Sequence, residues 1–328
     1  MSTNMQTSAI QDLLEFFSED MALVDAEIRS RLGSKVDLIP ELSGHLVHAG
    51  GKRIRPLLTL AGARLFGAIN PATIKLAASV EFIHTATLLH DDVVDGSAQR
   101  RGRDTANAVW GNKAPILVGD FLFARAFELM VEADSLETLN ILATASARIA
   151  EGEVLQLTSA HDVGLSLDTY FRIIEAKTAV LFEAALQVGA LSAGATKEQA
   201  KNAGLFGMGF GCAFQIIDDY LDYAGEQAII GKAPGDDFRE GKVTMPVILS
   251  MQANRQTQEQ LTALFQSQQR ELYFDKALGL ISQTNALDST KSYAYDYTTQ
   301  AIAGLAGLES RTKDMLTSLS QEALNRIN

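Results

Sequence analysis

The chain has 328 residues, of which 47% are hydrophobic and 21% are charged, a composition typical of a globular protein. Its formal net charge of −12 argues against a protein held to nucleic acid by a broad basic surface. The single cysteine, Cys212, excludes an internal disulfide and a cysteine-based zinc site. The first basic residue is Arg29 and the uncharged run 202–217 is too short to span a bilayer. We therefore expect a cytoplasmic protein without an organelle presequence or an integral membrane segment.

The prolines leave two long stretches of the chain uninterrupted. None falls between Pro115 and Pro234, and none follows Pro246. Because proline breaks helix interiors, these gaps permit long helices, and apolar residues recur there at helical spacing. No strand-length alternation, glycine/serine linker or shift in composition divides the chain. We predict an all-α fold with a single domain over residues 1–328.

Basic residues form small clusters along the chain. The segment GGKRIRP (50–56) places three cations after two glycines, and further basic positions follow in RRG (100–102), Lys177, Lys232 and Lys242. Arginine and lysine side chains bind phosphate oxygens well. In an acidic protein, such local clusters favour a small polyanionic substrate over nucleic acid.

Two aspartate clusters each follow an apolar helical run. DDVVD (91–95) is echoed by DDYLD (218–222). On a helix, residues i and i+4 share a face, so Asp91 and Asp95 point the same way, and His84 lies on that face. Carboxylates this close repel one another unless a cation lies between them. A solvated acidic helix end is the alternative for one cluster, but two clusters favour a metal site. Oxygen ligands without His or Cys indicate Mg²⁺ or Mn²⁺.

The combination of cations and metal-binding carboxylates indicates a phosphorylated substrate. Magnesium bridges phosphate oxygens to aspartate, and arginine grips the remaining oxygens. Neither a GxxxxGK[ST] loop nor a strand–GxGxxG–helix unit is present, so the usual nucleotide-binding loops are absent from the sequence. A diphosphate carried on an apolar group fits these features better than a nucleotide.

These segments together resemble the trans-polyprenyl diphosphate synthase family. The resemblance covers about residues 45–250 and is carried, in order, by GGKRIRP (50–56), HTATLLHDDVVD (84–95), RRG (100–102), VGDFLFARAF (118–127), AEGEVLQL (150–157), KT (177–178), FQIIDDYLD (214–222) and GDDFREGKVTMP (235–246). It implies a single large helical bundle around a central cavity. It also implies a homodimeric head-to-tail prenyltransferase that joins isopentenyl diphosphate to an allylic prenyl diphosphate, with Mg²⁺ as cofactor and Mn²⁺ as an alternative.

The resemblance assigns a role to each site residue. Isopentenyl diphosphate would be bound by Lys52, Arg55, His84 and Arg101. The metal ligands would be Asp91, Asp92, Asp95, Asp218, Asp219 and Asp222. The allylic diphosphate would be bound by Arg100, Lys177, Thr178, Gln215 and Lys232, with Lys242 matching the family pattern nearby. The catalytic set would be Asp91, Asp92, Asp95, Lys177, Asp218 and Asp219. Arg53 points away from Lys52 and Arg55 on a helical turn, and we expect it to be structural.

The residues one turn before Asp91 indicate the product length. By the resemblance, Ala86 and Thr87 form the floor of the product pocket, and both are small. Short-chain relatives commonly carry a bulky aromatic residue there, whereas small residues leave the pocket open to deeper layers, for which we expect Leu117, Val118, Phe121 and Leu122. The 82–130 stretch most resembles the bacterial octaprenyl and decaprenyl synthases that make quinone side chains such as that of ubiquinone. We predict a long product of about C40–C50.

Three alternatives remain open at this stage. The first is a synthase with a shorter product, geranylgeranyl or farnesyl diphosphate. The second is a class I terpene cyclase, which shares the fold and the first aspartate motif but typically lacks counterparts of DDYLD (218–222) and GGKRIRP (50–56). The third is a non-catalytic synthase subunit. Such subunits tend to lose aspartates or the basic segment, and this chain keeps both.

Overall fold

The computed structural model describes residues 8–48, 52–100, 102–224 and 234–327. Helices make up 79% of these residues and strands 1%, which confirms the all-α prediction. Among the helices of these ranges, none has both the length and the apolar character needed to cross a bilayer.

The helices follow one another with short connections. Those of the first half are α1 (Ala9–Phe16), α2 (Ser18–Arg31), α3 (Leu38–His48), α4 (Ile54–Phe66), α5 (Pro71–Val94), α6 (Ala106–Trp110), α7 (Lys113–Glu132) and α8 (Leu136–Thr158). Those of the second half are α9 (Leu167–Ile174), α10 (Val180–Ser192), α11 (Lys197–Ala224), α12 (Asp236–Glu240), α13 (Met245–Ala253), α14 (Arg255–Phe265), α15 (Phe274–Ser282), α16 (Ala286–Gly304) and α17 (Arg311–Asn325). A π-helical turn (Glu175–Ala179) joins α9 to α10, and a 3₁₀ turn covers Arg270–Tyr273.

A small antiparallel hairpin interrupts the helical pattern after α5. Its strands are β1 (Gln99–Arg100) and β2 (Arg103–Asp104), and Gln99 pairs with Asp104. The sequence does not predict it, because two residues are too few for an alternating pattern to emerge.

Contacts within the chain divide it into two compact units. Unit 1 consists of Met1–Ser146, Leu181–Gly204 and Gly307–Leu316, and unit 2 consists of Ala147–Val180, Leu205–Ala306 and Thr317–Asn328. The single domain predicted over residues 1–328 stays a prediction.

Helix α5 forms the centre of unit 1. It begins with a cap in which the Asn70 side chain accepts the amide of Thr73, and Pro71 occupies the first helical position, where its missing N–H is not needed. Every residue from Leu76 to Ile83 is buried, so this part of α5 is covered on all sides. Helices α2, α4 and α7 pack against it, and α5 is therefore a rigid support for the residues at its C-terminal end.

Glycines allow α4 and α10 to approach closely within unit 1. A Cβ atom on Gly62 would lie 2.5 Å from the carbonyl oxygen of Leu186, and one on Gly189 would overlap the carbonyl oxygen of Thr59. The backbones of the two helices therefore meet directly, which leaves no room for side chains at these positions.

Unit 2 has its own apolar core around α13. Most of that helix is buried, including Met245, Val247 and Ile248, and it packs against α14 and α16. Phe238 of α12 meets Phe265 of α14 edge to face, with 4.8 Å between ring centroids. The same core contains Tyr170 and extends beneath the second aspartate cluster.

Candidate active site

The first aspartate cluster lies at the C-terminal end of α5. Asp91 is partly exposed and Asp95 is exposed, whereas Asp92 is buried. The Arg100 side chain of β1 donates from Nε to Oδ1 of Asp92 over 2.8 Å. Burial raises the pKa of Asp92, while the charge and hydrogen bond of Arg100 act against that rise. Arg100, predicted to bind the allylic diphosphate, is thus held beside the first aspartate motif.

Both aspartate clusters occupy an unfavourable place on their helices. The C-terminal end of a helix carries a partial negative charge, so carboxylates there are destabilised unless cations balance them. DDVVD (91–95) ends α5, and DDYLD (218–222) lies in the last turns of α11. This shared position is a physical reason to expect a bound cation at each cluster.

The basic segment lies against α5 within unit 1. Arg55 Nη1 is 3.0 Å from Nε2 of His84, and the Arg55 guanidinium lies over the Phe182 ring at 4.4 Å from its centroid. Lys52 is exposed just before α4. The structure therefore brings together Arg55 and His84, two residues predicted to bind isopentenyl diphosphate. Arg101, predicted for the same diphosphate, lies outside the described residues.

One face of α5 carries both kinds of chemistry. His84, Asp91 and Asp95 lie within about 40° of one another around the helix axis, because α-helical residues are about 100° apart. His84 and Asp91 are separated by about 10 Å along that axis. A basic site and a carboxylate site therefore follow one another along a single buried helix.

Asp219 of the second cluster is buried with both carboxylate oxygens occupied. The Tyr170 hydroxyl donates to Oδ2 over 2.7 Å, and Gln215 Nε2 donates to Oδ1 over 2.8 Å. Burial raises the pKa of Asp219 to about 7, although the two hydrogen bonds act in the opposite direction. Tyr170 and Gln215 therefore fix the orientation of the Asp219 carboxylate, and its role as a metal ligand stays a prediction.

Asp222 is buried and binds backbone. Its Oδ1 and Oδ2 accept the amides of Asp236 and Asp237 over 3.2 and 3.1 Å, and its carbonyl oxygen accepts the amide of Gly235. Asp222 thus fastens the start of α12 to the end of α11. Its prediction as a metal ligand stays a prediction, and the contacts described here favour a structural role.

The accessible carboxylates fit a hard divalent cation. Asp91, Asp95 and Asp218 are each at least partly exposed, and all offer oxygen. Among the residues that the structure describes, no three His, Cys, Asp or Glu side chains are grouped closely enough to hold a metal ion by themselves. Magnesium commonly binds through one or two carboxylates together with substrate phosphates and water, so each cluster by itself suits a site that substrate completes.

The π-helical turn presents two residues predicted to bind the allylic diphosphate. Lys177 Nζ donates to Glu153 Oε2 and to Gln156 Oε1, both over 2.8 Å. Thr178 Oγ1 donates to Gln215 Oε1 over 3.0 Å. Thr178, Gln215 and Asp219 therefore form a connected chain of hydrogen bonds in unit 2, with Lys177 on the same turn.

The sequence matches a family model described as polyprenyl synthetase over residues 36–279. The chain belongs to the polyprenyl synthetase family. Octaprenyl diphosphate synthase of Escherichia coli (strain K12) is 42% identical over 320 residues, covering 97% of this chain and 99% of that protein. The resemblance to the trans-polyprenyl diphosphate synthases predicted from the motifs is confirmed.

Solved structures extend the similarity to the fold. The crystal structure of a decaprenyl diphosphate synthase from Rhodobacter capsulatus has a TM-score of 0.91 at 46% identity, covering 97% of this chain and 99% of that chain. The structure of polyprenyl synthase from Caulobacter crescentus CB15, complexed with calcium and isoprenyl diphosphate, has a TM-score of 0.90 at 47% identity, covering 98% and 99%. Polyprenyl synthetases are metal-dependent prenyltransferases that bind isoprenyl diphosphates, and this chain is an enzyme of that family.

The two residues predicted to form the product floor lie on α5. Ala86 is fully buried, and Thr87 is partly exposed and donates from Oγ1 to the carbonyl oxygen of His84 over 2.8 Å. Val118 and Leu122 of α7 are buried, but Leu117 is 67% exposed. The expectation that Leu117 lines deeper layers of the pocket is wrong, because its position on α7 turns it toward solvent.

Two further basic residues, Lys232 and Lys242, are predicted to bind substrate. Lys242 Nζ pairs with Glu240 over 2.7 Å, and its backbone amide is bound by the carbonyl oxygen of Asp237. Lys232 lies outside the described residues. Their roles as substrate ligands stay predictions.

Two side chains that bind predicted site residues were not expected from the sequence. Glu153 binds Lys177, and Tyr170 binds Asp219. Glu153 lies within the family segment AEGEVLQL (150–157), one turn before Gln156, and that shared helix face was the available signal. Nothing in the sequence marks Tyr170, because its partner is 49 residues away.

Proposed function

We propose that the chain condenses isopentenyl diphosphate with an allylic prenyl diphosphate, such as farnesyl diphosphate, and makes an all-trans polyprenyl diphosphate of about C40–C50. The observation that carries the proposal is the face of α5 on which His84, bonded to Arg55, is followed by Asp91 and Asp95. A cluster of basic side chains suits one diphosphate. A carboxylate cluster that needs a cation suits a second diphosphate, which a metal bridges.

The basic site would hold isopentenyl diphosphate as the nucleophile. Lys52 and Arg55, with Arg101, would bind the diphosphate oxygens. The Arg55–His84 bond and the stacking of Arg55 on Phe182 fix the guanidinium plane before substrate arrives. A fixed donor costs little reorganisation on binding, which helps to hold the double bond at the reacting carbon.

The carboxylate site would hold the allylic substrate. Asp91, Asp95 and Asp218 would bind Mg²⁺, or Mn²⁺ in its place, and the bound metal would neutralise charge that develops on the leaving diphosphate. Arg100, Lys177 and Lys232 would donate to the same oxygens, and Thr178 would do so once its hydroxyl turns away from Gln215, to which it donates in the described structure. Glu153 and Gln156 direct the Lys177 ammonium.

The reaction separates charge and then restores it. The allylic C–O bond breaks, the double bond of isopentenyl diphosphate attacks the allylic cation, and a proton leaves the new chain. We assign that proton to the released diphosphate, in keeping with the family, because the described site offers no dedicated side-chain base. Apolar surroundings must exclude water from the cation, and the small floor at Ala86 and Thr87 would let the chain lengthen through further cycles.

We also propose that the enzyme works in the cytoplasm as a homodimer that uses α7. Ile116, Leu117, Phe127 and Val131 all point within about 100° of one another on that helix, and all are exposed. An exposed apolar strip of this kind favours a protein partner. A second copy of the chain is the partner that the family resemblance implies.

The test is product analysis with the whole protein. Purified protein, Mg²⁺, labelled isopentenyl diphosphate and farnesyl diphosphate are incubated, and chain length is read by reversed-phase separation. A product of about C40–C50 supports the full proposal. A product that stops at C20 supports the prenyl transfer reaction and overturns the long product. Diphosphate release from the allylic substrate alone indicates a cyclase. No incorporation of isopentenyl diphosphate indicates a non-catalytic subunit.

A further inference from the structure

The basic segment turns through an uncommon backbone conformation. Arg53 has φ 47° and ψ 38°, in the left-handed region that residues other than glycine seldom occupy. Its carbonyl oxygen accepts the amide of Leu57 over 3.1 Å, the first backbone bond of α4. The conformation of Arg53 therefore sets where α4 begins, with Lys52 on one side of the turn and Arg55 on the other.

A buried carboxylate on α5 holds Arg53. Arg53 Nη1 and Glu81 Oε1 are 2.5 Å apart, and the two side chains are only 17% and 10% exposed. Buried charges of this kind are retained when they are paired, and an unusual backbone persists only where surrounding contacts determine it. The Glu81 carboxylate is thus a fixed anchor for the Arg53 side chain, and through that side chain for the left-handed turn.

Two successive turns of α5 bind the two arginines of the segment. Glu81 lies three residues before His84, so their side chains stand one above the other on the helix. Glu81 binds Arg53, and His84 binds Arg55. Glu81 lies within the fully buried stretch of α5 and His84 follows that stretch directly, so the packing of the helix holds both attachment points.

We infer that Glu81 is a positioning residue for the isopentenyl diphosphate site, and that it acts through Arg53. The pair keeps the left-handed turn in place, so Lys52 and Arg55 project from fixed points toward one diphosphate. Without the Glu81 charge, Arg53 loses its counter-ion and the turn relaxes, which moves the donors relative to each other. The inference rests on the proposed function of the basic segment.

The test separates the two substrates. Glu81→Gln is expected to raise KM for isopentenyl diphosphate by about tenfold to a hundredfold, because displaced donors lose much of their effect. KM for farnesyl diphosphate and kcat at saturation should change by less than about twofold, since the residues of the carboxylate site keep their places. Calorimetric titration of the protein with isopentenyl diphosphate alone should show the same loss of affinity.

The matched control removes another salt bridge of unit 1. Glu132 binds Arg31 through two hydrogen bonds of 2.6 and 2.7 Å, away from every residue assigned to a substrate. Glu132→Gln should lower the melting temperature and leave both KM values unchanged. Any selective change in KM for isopentenyl diphosphate is then a property of Glu81 and not of lost stability.

A double variant keeps the test informative if Glu81→Gln fails to fold. Glu81→Gln with Arg53→Gln removes both charges and leaves neither buried alone. If Glu81 acts through Arg53, the KM of the double variant equals that of Arg53→Gln, and the two effects do not add.

The outcomes distinguish this inference from the proposed function. Additive effects of the two substitutions, an equal rise in both KM values, or an unchanged KM for isopentenyl diphosphate would each overturn the role of Glu81. If the unaltered protein incorporates no isopentenyl diphosphate and does not bind it, the proposed function itself is wrong.

Discussion

The six aspartates of the two motifs have the same kind of side chain but different surroundings. Asp91, Asp95 and Asp218 are at least partly exposed. The others are buried against donors: Asp92 against Arg100, Asp219 against Tyr170 and Gln215, and Asp222 against backbone amides. A motif that repeats in sequence therefore divides into carboxylates that are at least partly exposed and carboxylates that are buried against other groups of the protein.

Replacing Asp222 or Asp218 by alanine should give opposite results. Asp222→Ala leaves buried amides at the start of α12 without an acceptor, which should lower the free energy of unfolding by about 1–3 kcal/mol. Asp218→Ala should change it by less than about 0.5 kcal/mol and reduce kcat by at least about a hundredfold. Urea unfolding and initial rates measure the two effects. Equal losses of stability would contradict the division.

Helical spacing predicts only part of this residue-scale picture. It places Asp91, Asp95 and His84 on one face of α5, because they belong to a single helix. Helical spacing does not predict the Tyr170–Asp219 and Arg53–Glu81 contacts, because the two residues of each pair do not belong to the same helix. Such contacts depend on tertiary packing and cannot be derived from the period of either helix.

At the scale of elements, α2 is joined to the end of α7 by charged side chains. Arg31 of α2 binds both oxygens of Glu132, and Lys75 of α5 approaches Oε2 of Glu132 at 3.1 Å. Hydrogen bonds from Arg31 and Lys75 lower the pKa of Glu132 to about 2. The Glu132 side chain is 39% exposed, so water screens the pair and its contribution is modest.

The stabilising effect of Glu132 should depend on pH. A carboxylate whose folded pKa is depressed stabilises the fold above its unfolded value of 4.5, and the effect is lost as pH falls toward about 2. The unaltered protein should therefore exceed Glu132→Gln in free energy of unfolding by about 1 kcal/mol at neutral pH. The difference should shrink steadily below pH 4.5 in urea titrations. A difference that does not vary with pH would mean that packing, not charge, is responsible.

The positions of the prolines predict the long helices well, but they do not predict local irregularities. Long helices fill both proline-free stretches, as α11 does in the first and α16 in the second. Prolines inside helices, such as Pro56 and Pro115, stand in the first turn, where a missing amide costs nothing. The β1–β2 hairpin and the π-helical turn are short departures that hydrophobic periodicity cannot resolve.

At the scale of the whole molecule, the exposed face of α7 is the surface that we propose for assembly. Leu117 and Val131 are 67% and 64% exposed on that face. Leu117→Glu with Val131→Glu should convert a dimer to a monomer, because charges at the centre of an apolar interface are costly to bury. Light scattering after size exclusion reads the mass. Leu272→Glu, at a single exposed position elsewhere, is the control and should keep the dimer. A monomeric parent protein would contradict the proposed assembly outright.

Product length is also a property of the whole molecule. Ala86→Phe puts an aromatic ring at a fully buried position one turn before Asp91. The ring should block the growing prenyl chain sterically. We expect the main product to shorten from about C40–C50 to C20 or less, as read by reversed-phase separation. Ala86→Ser, of nearly the same volume, should keep the long product. An unchanged length in Ala86→Phe would show that the floor lies elsewhere.

In the π-helical turn at Glu175–Ala179, the number of residues matters more for the direction of the side chains than the identity of each residue. Each residue of an α-helix advances the side chain by about 100°, whereas a π turn takes up one more residue. Deleting any one residue here would restore a regular helix and swing Thr178 away from Gln215. Point substitutions would leave the rotation of Thr178 about the helix axis unchanged. The turn thus sets the spacing between Thr178 and Gln215, and relatives that keep this hydrogen bond should align through the turn without a gap.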